Sequence, residues 1–527
     1  MKDNLILAAS NLPFPKSACY GYAWVGSDLY FCDGEGGTTP RLDLGEDGAY
    51  VAVLSDSEKV SIGTDFFGFG KVYLYRAGED WAVGRSLMGL AEYVASCGWR
   101  LTKDFTQLQS WFLRGNAMIG GQLTSFRTVF NEISLVPAQQ VVEIDRKKQL
   151  KVMSRALATP NLSYSDGLQF ALEEMCSRLR TLLESEIPVS SDLTGGQDSR
   201  LIFGALLNAA GSDLSLDNAV RIKSQVSWKQ DYAVASKIAK RYGVTLNKPA
   251  KRRVEADVDY AIELWRRNDL GVYSTFYPVL PASGEIALNG CAPAYRRVFT
   301  NSSLREEMTA NRTQWISDDA IVGLEKAALE SLAEVSESGD LRVRHYNLFR
   351  SRIHGGRPEL RGAALSPLSS RAFYQAATLL PITAIERTQF YADAMFSLDS
   401  ELAEFEFDKP SKNWTDTQKS ALTIVPIRQE YIQSGKVYGA PSEIPERSPS
   451  LDTRQHDRLA EMYYRAKSKV MGLLPPTFLE KADECLSEVL IGNQEFAPVL
   501  GYVTTVILYG EVERLTKGTY SISVGGN

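Results

Sequence analysis

The most informative part of the chain is the stretch Ser191-Asp192-Leu193-Thr194-Gly195-Gly196-Gln197-Asp198-Ser199-Arg200. An apolar run over residues 188–193 predicts a strand that ends here, and apolar spacing over residues 199–210 predicts a helix that begins here. Two glycines permit a tight turn, and the hydroxyl groups of Thr194 and Ser199 flank it. Backbone N–H groups beside a helix N-terminus form an anion cradle, so the stretch predicts phosphate binding. The alternative is a loop whose glycines serve only the turn.

Asp198 places a negative charge inside this predicted cradle. A carboxylate repels phosphate unless it binds the Mg²⁺ that accompanies nucleotide phosphates. We therefore predict a nucleotide at this loop and assign Asp198 as the protein ligand of the metal ion. The predicted nucleotide contacts within the loop are Thr194, Gly195, Gly196, Gln197, Asp198 and Ser199.

Strands and helices alternate on both sides of this loop. A helix is predicted over residues 165–186, and the pattern then predicts helices over 199–210 and 229–242 and strands over 214–222, 244–247 and 286–289. Such βαβαβ order is typical of a parallel sheet in an α/β protein. Beyond about residue 315 helices dominate, so we predict a helical carboxyl-terminal part, and the Pro-rich segment 439–449 is predicted to be a mobile loop.

Residues 1 to about 155 are predicted to be rich in β-structure. Short apolar runs recur at 50–54, 60–64 and 71–76, and Gly/Asp turns separate such runs. One helix is predicted over residues 86–96 with Ser86 as its N-cap, and a strand over residues 140–144 closes this part. The change of pattern predicts two domains, one over residues 1–155 and one over residues 160–527.

The composition excludes several classes of protein. The 527 residues carry a formal net charge of −6, so no nucleic-acid partner is predicted. The longest apolar run, 496–510, is too short to span a membrane and predicts a buried helix. The acid near the N-terminus and the short apolar run after it argue against a secretory signal. Six scattered cysteines without a CxxC pair predict a cytoplasmic location. The three histidines, His345, His354 and His456, lack a catalytic motif and are interpreted as structural.

The loop resembles that of a known family. Residues Thr194–Ser199 are similar to the SGGxDS pyrophosphate loop of the N-type ATP pyrophosphatases, with Thr for the first Ser. Three segments resemble the asparagine synthetase (class B) branch, which includes β-lactam synthetases and lasso-peptide cyclases. Residues 63–75 resemble its RDpfGxxPLYY segment, 136–144 its LPPG strand entry, and 364–370 with the following helix its RxPFLD segment. The resemblance covers most of the chain.

The resemblance implies an Ntn-hydrolase-like α/β sandwich, a glutaminase in the family, followed by a Rossmann-like ATP pyrophosphatase domain. It implies an enzyme that joins a carboxylate to AMP, releases pyrophosphate and lets an amine attack the acyl-adenylate. ATP and Mg²⁺ are then the cofactors, and the substrates are a small-molecule or peptide carboxylate and an amine. Ile222, Asp231 in a D-x-x-x-A pattern and Gly290 are implied as further nucleotide contacts. A homodimer, or a complex with a partner from a biosynthetic cluster, is left open.

The sequence departs from the family at two positions that carry chemistry. Family glutaminases use Cys at position 2 as an N-terminal nucleophile, whereas Lys2 stands here and the nearest cysteine is Cys19, so glutamine hydrolysis is not expected. The family segment G-[E/Y]-G-x-[DE] corresponds to residues 290–297, where Ala294 replaces the acidic metal ligand and Cys291 the catalytic Glu or Tyr. Cys291 is a candidate catalytic residue, with a buried structural thiol as the alternative.

Positive charge at the predicted site must come from lysine or arginine. The family carries a lysine after its helical region that contacts adenylate and pyrophosphate, and Lys409 and Lys412 are the candidates for that catalytic role, with Lys412 favoured. Arg296 or Arg297 could compensate for the missing acidic ligand. A solvated surface position is the alternative for each of these four side chains.

Three hypotheses remain open. The first, which the sequence favours, is an ATP-dependent amide, lactam or macrolactam synthetase without glutaminase activity. The second is a catalytically degraded relative that acts as a partner or regulator in a biosynthetic cluster. The third is another ATP-pyrophosphatase chemistry, such as thiolation or nucleotide modification, although the chain lacks the cysteine pair and the basic surface that a tRNA-modifying version would need.

Overall fold

The computed structural model of the protein describes residues 5–35, 42–113, 119–120, 122–155, 161–250, 258–268, 285–293, 303–335, 340–356, 363–441, 452–490 and 497–517. This part of the chain is mixed α/β, with two mainly antiparallel sheets and one parallel sheet. A β-rich first part followed by a parallel sheet is therefore confirmed. Residues 442–449 of the predicted mobile loop lie outside the described residues, as do Lys2, Ala294, Arg296 and Arg297.

Within the described part of the first 155 residues, strands β1 to β10 form two sheets. Their bounds are Ile6–Ala9, Ala18–Val25, Asp28–Glu35, Gly48–Ser55, Lys59–Thr64, Tyr73–Ala77, Asp80–Gly84, Ile133–Leu135, Gln140–Asp145 and Leu150–Ser154. One sheet has the order β1-β7-β6-β8 and the other begins β10-β9-β5-β4-β2-β3, with antiparallel pairing throughout these strands. Leu74 and Val83 of the first sheet share a buried cluster with Val53 and Ile62 of the second, so the sheets pack face to face. The strands predicted at 50–54, 60–64, 71–76 and 140–144 are confirmed as β4, β5, β6 and β9.

Two helices, α1 (Leu87–Ser96) and α2 (Phe105–Gln109), follow β7, and a 3₁₀ turn, Ser110–Phe112, extends the second. Ser86 caps α1, as predicted, because its hydroxyl accepts the N–H of Gly89 at 3.0 Å. The carboxylate of Asp104 caps α2 in the same way.

Asp65 organises the segment that resembles the RDpfGxxPLYY pattern. Its buried carboxylate accepts backbone N–H bonds from Tyr50 at 3.3 Å, Phe67 at 3.1 Å, Phe69 at 3.0 Å and Gly70 at 2.7 Å. Burial raises the pKa of this carboxyl to about 6, and the N–H donors oppose that shift. The side chain thus holds the turn that joins β5 to β6.

The parallel sheet consists of β11 (Val189–Asp192), β12 (Val220–Lys223), β13 (Ile286–Leu288) and β14 (Ala364–Leu365) in the order β12-β11-β13-β14. Val189 pairs with Val220 on one side and with Ile286 on the other. The strands predicted at 188–193 and 286–289 are confirmed. Because all four strands run in one direction, their carboxyl ends meet at one edge of the sheet.

The helices next to these strands are α3 (Tyr164–Glu184), α4 (Gln197–Ala210), α5 (Leu216–Ala219) and α6 (Lys229–Tyr242). The helices predicted at 165–186, 199–210 and 229–242 are confirmed as α3, α4 and α6. Gly243 ends α6 in the left-handed conformation, with φ of 66°, which favours glycine.

Two strand predictions in this region were wrong in part. The chain over 214–222 alternates apolar and polar residues, but its first half forms α5, in which the Ser215 carbonyl accepts the N–H groups of Asn218 and Ala219. Polar residues that favour turns override the alternation there. The strand predicted at 244–247 is reduced to one bridge between Leu246 and Ile222, because Asn247 adopts a positive φ of 58° that ends the pairing.

Helices dominate the described residues beyond 315, as predicted, and helices also occupy much of the described chain just before that position. After α7 (Val258–Asn268) they are α8 (Leu304–Ala310), α9 (Asp318–Glu334), α10 (Leu341–His345), α11 (Arg352–Gly355), α12 (Arg371–Thr378), α13 (Ile382–Glu386), α14 (Gln389–Leu398), α15 (Ser400–Glu404), α16 (Asp416–Ser420), α17 (Asp452–Val470), α18 (Pro476–Leu490) and α19 (Ala497–Lys517). A π-helical turn, Tyr346–Ser351, joins α10 to α11, and 3₁₀ turns lie at Pro410–Lys412 and Gln429–Tyr431. The apolar run at 496–510 falls in α19. In the described part of the chain, no helix combines the length and apolarity that a membrane crossing requires.

The two predicted domains share buried contacts. The ring of Trp111 lies 5.4 Å from that of Tyr509 on α19. The fully buried Arg352 donates to the carbonyl oxygens of Gly68 at 2.7 Å and Val136 at 2.9 Å. Helices from the end of the chain therefore complete the core of its first part.

A short strand, β15 (Val437–Tyr438), pairs in parallel with the outer edge of β3. The Tyr438 ring stacks on that of Tyr30 at 4.4 Å, and Gly435 donates its N–H to the Thr181 hydroxyl of α3 at 2.8 Å. This segment ties α3 to the seven-stranded sheet and covers an otherwise open edge.

Candidate nucleotide site

The predicted phosphate loop joins the carboxyl end of β11 to the amino end of α4. Asp192 is the last strand residue, and α4 begins at Gln197, ahead of the start predicted at residue 199. Because β11 lies between β12 and β13, the loop is at the middle of the carboxyl edge of the parallel sheet. Ligands of open α/β sheets bind at this edge.

The two hydroxyl residues of the loop hold its shape. Thr194 Oγ1 and Ser199 Oγ lie 2.9 Å apart. Ser199 Oγ accepts the N–H of Thr194 at 3.0 Å, and Thr194 Oγ1 accepts the N–H of Gly196 at 3.0 Å. The hydroxyls that were predicted to flank the turn therefore act as its internal hydrogen-bond partners.

Asp231, in the first turn of α6, contacts the loop directly. Its Oδ1 atom accepts the N–H of Gly195 at 3.0 Å. The structure thus brings this predicted nucleotide contact to the loop. The Asp231 bond also takes up the Gly195 N–H, which was predicted from the sequence to donate to a phosphate.

Asp198 lies in the first turn of α4 and is constrained by two other elements. The hydroxyl of Tyr391 on α14 donates to Asp198 Oδ1 at 2.6 Å. A Cβ atom at position 290 would lie 2.8 Å from Asp198 Cβ, so only glycine allows this approach. The helix dipole stabilises a negative charge in the first turn. Asp198 and Gly290, both predicted site residues, are therefore neighbours.

Lys412 is linked to the loop through Asp408. Its Nζ atom lies 2.7 Å from Asp408 Oδ1 and 2.9 Å from Oδ2. The Asp408 N–H donates to the Gly195 carbonyl at 3.0 Å, and the Lys412 carbonyl accepts from Gln197 Nε2 at 3.2 Å. With 35% of its side chain exposed, Lys412 is accessible to a ligand at the loop.

Arg200 fastens the segment that carries Asp408 to α4. The fully buried guanidinium donates to the carbonyl oxygens of Phe405 at 2.5 Å and Glu406 at 2.8 Å, and it lies 3.9 Å from the centre of the Phe407 ring. Burial lowers the pKa of Arg200 to about 10, and nearby Asp408 opposes that shift. Arg200 therefore connects the loop helix to the lysine segment, in addition to the bonds of Gly195 and Gln197.

Three other predicted site residues do not contact the loop in the way that Asp198, Asp231 and Lys412 do. Lys409 is exposed at the start of the 3₁₀ turn. The Ile222 side chain is buried in the core, and its carbonyl accepts the N–H of Asn247 at 2.8 Å. Cys291 is 8% exposed with its Sγ atom 4.0 Å from the Ser351 carbonyl, a setting that favours the structural interpretation of this thiol.

Two residues that contact the site were not predicted from the sequence. Asp408 precedes Lys412 by four residues, and this spacing on a helical turn was a usable signal for an ion pair. Tyr391 is 193 residues from Asp198 in the chain. Its sequence neighbourhood does not distinguish it from an ordinary core aromatic residue.

Among the described residues, no three His, Cys, Asp or Glu side chains form a metal centre. Mg²⁺ does not require such a cluster, because it binds through one or two carboxylates together with nucleotide phosphates and water. Asp198, at the amino end of α4 and beside the glycine loop, fits a carboxylate ligand of this kind.

A scan of the sequence against models of protein families finds no match, and a search of curated proteins finds none either. The function is therefore inferred from the residues and their geometry. They define a protein with a parallel sheet, a glycine loop at its carboxyl edge, and a carboxylate and a lysine beside that loop.

Proposed function

We propose that this protein is an ATP-dependent synthetase that activates a carboxylate as an acyl-adenylate and joins it to an amine. The products are AMP, pyrophosphate and an amide, a lactam or a macrolactam. The amine is ammonia, a second substrate or a group within the substrate itself, since glutamine hydrolysis is not part of the proposal. The first part of the chain is then an Ntn-hydrolase-like sandwich, and the parallel-sheet part an ATP pyrophosphatase domain of the asparagine synthetase type.

One observation supports this function best, namely the convergence of a carboxylate and an ammonium on the glycine loop. Asp198 is in the first turn of α4, and Lys412 is held through Asp408 to Gly195 of the same loop. A nucleotide with its cation needs both kinds of charge, a carboxylate for the metal ion and a cation for the phosphates.

Each residue has a distinct part in the proposed reaction. The substrate carboxylate oxygen attacks the α-phosphorus of ATP, and the bond between the α-phosphorus and the bridging oxygen breaks to release pyrophosphate. The Lys412 ammonium and the N-terminal amides of α4 stabilise the charge on the departing group. Asp198 would hold a Mg²⁺ ion, which would add positive charge to the phosphates. The amine then attacks the carbonyl carbon, AMP leaves, and a base takes the proton of the amine.

A second function, that of a degraded relative that binds a partner, is favoured by another observation. Asp231 accepts a hydrogen bond from the Gly195 N–H, and Asp408 forms an ion pair with Lys412. These two candidate phosphate contacts are therefore engaged within the protein. If these contacts persist in the presence of ATP, the fold is retained without nucleotide binding.

The Asp198→Asn substitution is expected to weaken ATP binding in the presence of Mg²⁺ by about 10- to 100-fold, or about 1.4–2.8 kcal/mol, from a micromolar wild-type value. The neutral amide holds a divalent cation less well than the carboxylate does. Isothermal titration calorimetry on the purified chain measures the effect.

Asp319→Asn is the matched control for that measurement. Asp319 is the second residue of α9, as Asp198 is of α4, but its side chain is exposed away from the loop. The control changes the same charge at the same helix position and should bind ATP as the wild type does. Equal affinity in the Asp198→Asn variant contradicts the metal role, and a folded wild type that binds no ATP favours the degraded relative.

Exchange of labelled pyrophosphate into ATP tests the reaction itself. We expect exchange that depends on a carboxylate from a panel of amino acids, small acids and peptides, because only a reversible adenylation returns pyrophosphate to ATP. The chain should release no ammonia from glutamine in the same preparations. If the protein binds nucleotide but no carboxylate of the panel supports exchange, the proposed activity is contradicted.

A further inference from the structure

Tyr391 is a buried side chain whose polar atom points at the candidate site. It lies on α14 with 2% of its surface exposed, and its hydroxyl donates to Asp198 Oδ1 at 2.6 Å. A hydroxyl at such a depth destabilises the protein unless it is hydrogen-bonded, and a phenylalanine would fill the same volume. We therefore interpret the Tyr391 hydroxyl through the bond that it makes to Asp198.

The backbone and Cβ atom of Asp198 have little freedom to move. The backbone of Asp198 belongs to the first turn of α4, and Gly290 approaches it so closely that a Cβ at position 290 would lie 2.8 Å from Asp198 Cβ. These contacts limit where the Asp198 side chain can go, but they do not set the rotation of its carboxyl group. The bond from Tyr391 to Oδ1 restricts that rotation.

We propose that Tyr391 is a positioning residue that orients the Asp198 carboxylate toward the cation bound with the nucleotide. The proposal rests on the proposed function, because it requires a nucleotide with a divalent cation at this loop. Hydrogen bonds from neighbouring side chains commonly orient the carboxylates that hold metal ions. Tyr391 itself touches neither the nucleotide nor the cation in this arrangement.

The Tyr391→Phe substitution tests the role, because it removes the hydroxyl and keeps the ring. The readout is the ratio of two ATP dissociation constants from calorimetry, one measured with EDTA and one with saturating Mg²⁺. We expect the substitution to lower the Mg²⁺-dependent gain in affinity about 10-fold, a typical effect of losing a hydrogen bond to a metal ligand. Binding in EDTA should be unchanged.

The matched control is Tyr164→Phe. Tyr164 donates its hydroxyl to Asp393 Oδ2 at 2.7 Å, and Asp393 lies on the same helix as Tyr391, two residues further on. The control thus removes the same kind of bond to α14 without touching Asp198. Both variants should unfold at lower urea concentrations, but only Tyr391→Phe should change the Mg²⁺ dependence.

A double-mutant cycle separates orientation from general support. In the Asp198→Asn background, the further Tyr391→Phe change should alter the Mg²⁺ dependence by less than about twofold, because the ligand to be oriented is already lost. Equal weakening in EDTA and in Mg²⁺, or an undiminished effect in the Asp198→Asn background, overturns the proposal. If wild type and Tyr391→Phe bind Mg²⁺ and ATP alike, only the role of Tyr391 fails. A wild type that binds no ATP overturns the proposed function as well.

Discussion

The Arg200→Met variant is expected to lose about 3 kcal/mol of unfolding free energy and to bind nucleotide more weakly than the wild type. Methionine fills a similar volume but donates no hydrogen bond. The carbonyl oxygens of Phe405 and Glu406 then lose their charged donors, and the stacking on the Phe407 ring is lost. The segment that carries Asp408 then keeps only its bonds from Asp408 to Gly195 and from Gln197 to Lys412, so Lys412 is held less firmly at the site.

Urea unfolding followed by circular dichroism, with calorimetry on the folded variant, measures both effects. Arg241→Met is the matched control, because Arg241 on α6 is 57% exposed and pairs with the exposed Glu401 of α15. An exposed ion pair contributes little to stability because water and salt screen it, so the control should unfold close to the wild type. If the two variants unfold at the same urea concentration, the buried arginine does not hold the segment.

Acidification from pH 7 to pH 5 is expected to remove about 2 kcal/mol of stability through His345 alone, and up to about 3 kcal/mol at lower pH. Burial lowers the pKa of this fully buried histidine from 6.5 to about 4. Its Nε2 atom lies 2.9 Å from the Thr124 carbonyl, an acceptor only, so the neutral ring carries its proton there. The unfolded chain therefore binds a proton more readily than the folded protein. This contribution is complete above pH 6.5 and is lost as the pH falls toward 4.

The His345→Gln variant isolates that contribution, because glutamine keeps an N–H donor for the Thr124 carbonyl but does not titrate. The difference in urea stability between wild type and variant is measured at several values between pH 4.5 and pH 7.5. It should shrink as the pH falls, because only the wild type is destabilised by protonation of this ring. Carboxyl groups with shifted pKa values, such as Asp65, affect both proteins equally. A difference that does not depend on pH means that His345 is not the titrating group.

Much of the framework of the site could be predicted because its signals are local. A strand ending near Asp192, two glycines and a following helix are written in consecutive residues, and so are the Ser86 cap and the end of α6 at Gly243. The error in the strand predicted at 214–222 also has a local cause. An alternating pattern there competes with Ser, Asp and Asn residues that favour a turn, and the turn prevails.

The chemical state of individual side chains was harder to predict. Cys291 was a candidate catalytic residue, yet its thiol is buried against the Ser351 carbonyl. Lys409 and Lys412 were alternatives, and only Lys412 is paired with Asp408 beside the loop. A side chain that lies two or three residues from another on a turn can point in an unrelated direction, so spacing alone did not separate them.

The amino-acid sequence determined the place and the character of the loop, because glycines, hydroxyls and a helix N-terminus act over a few consecutive residues. Only the tertiary structure decided what surrounds it. Asp231 bonds to Gly195 and Tyr391 bonds to Asp198 because α6 and α14 pack beside the loop, across 36 and 193 residues of chain. Apolar periodicity indicates which face of a helix is buried, but it does not identify the element that this face meets. Contacts between such distant residues therefore follow from packing alone.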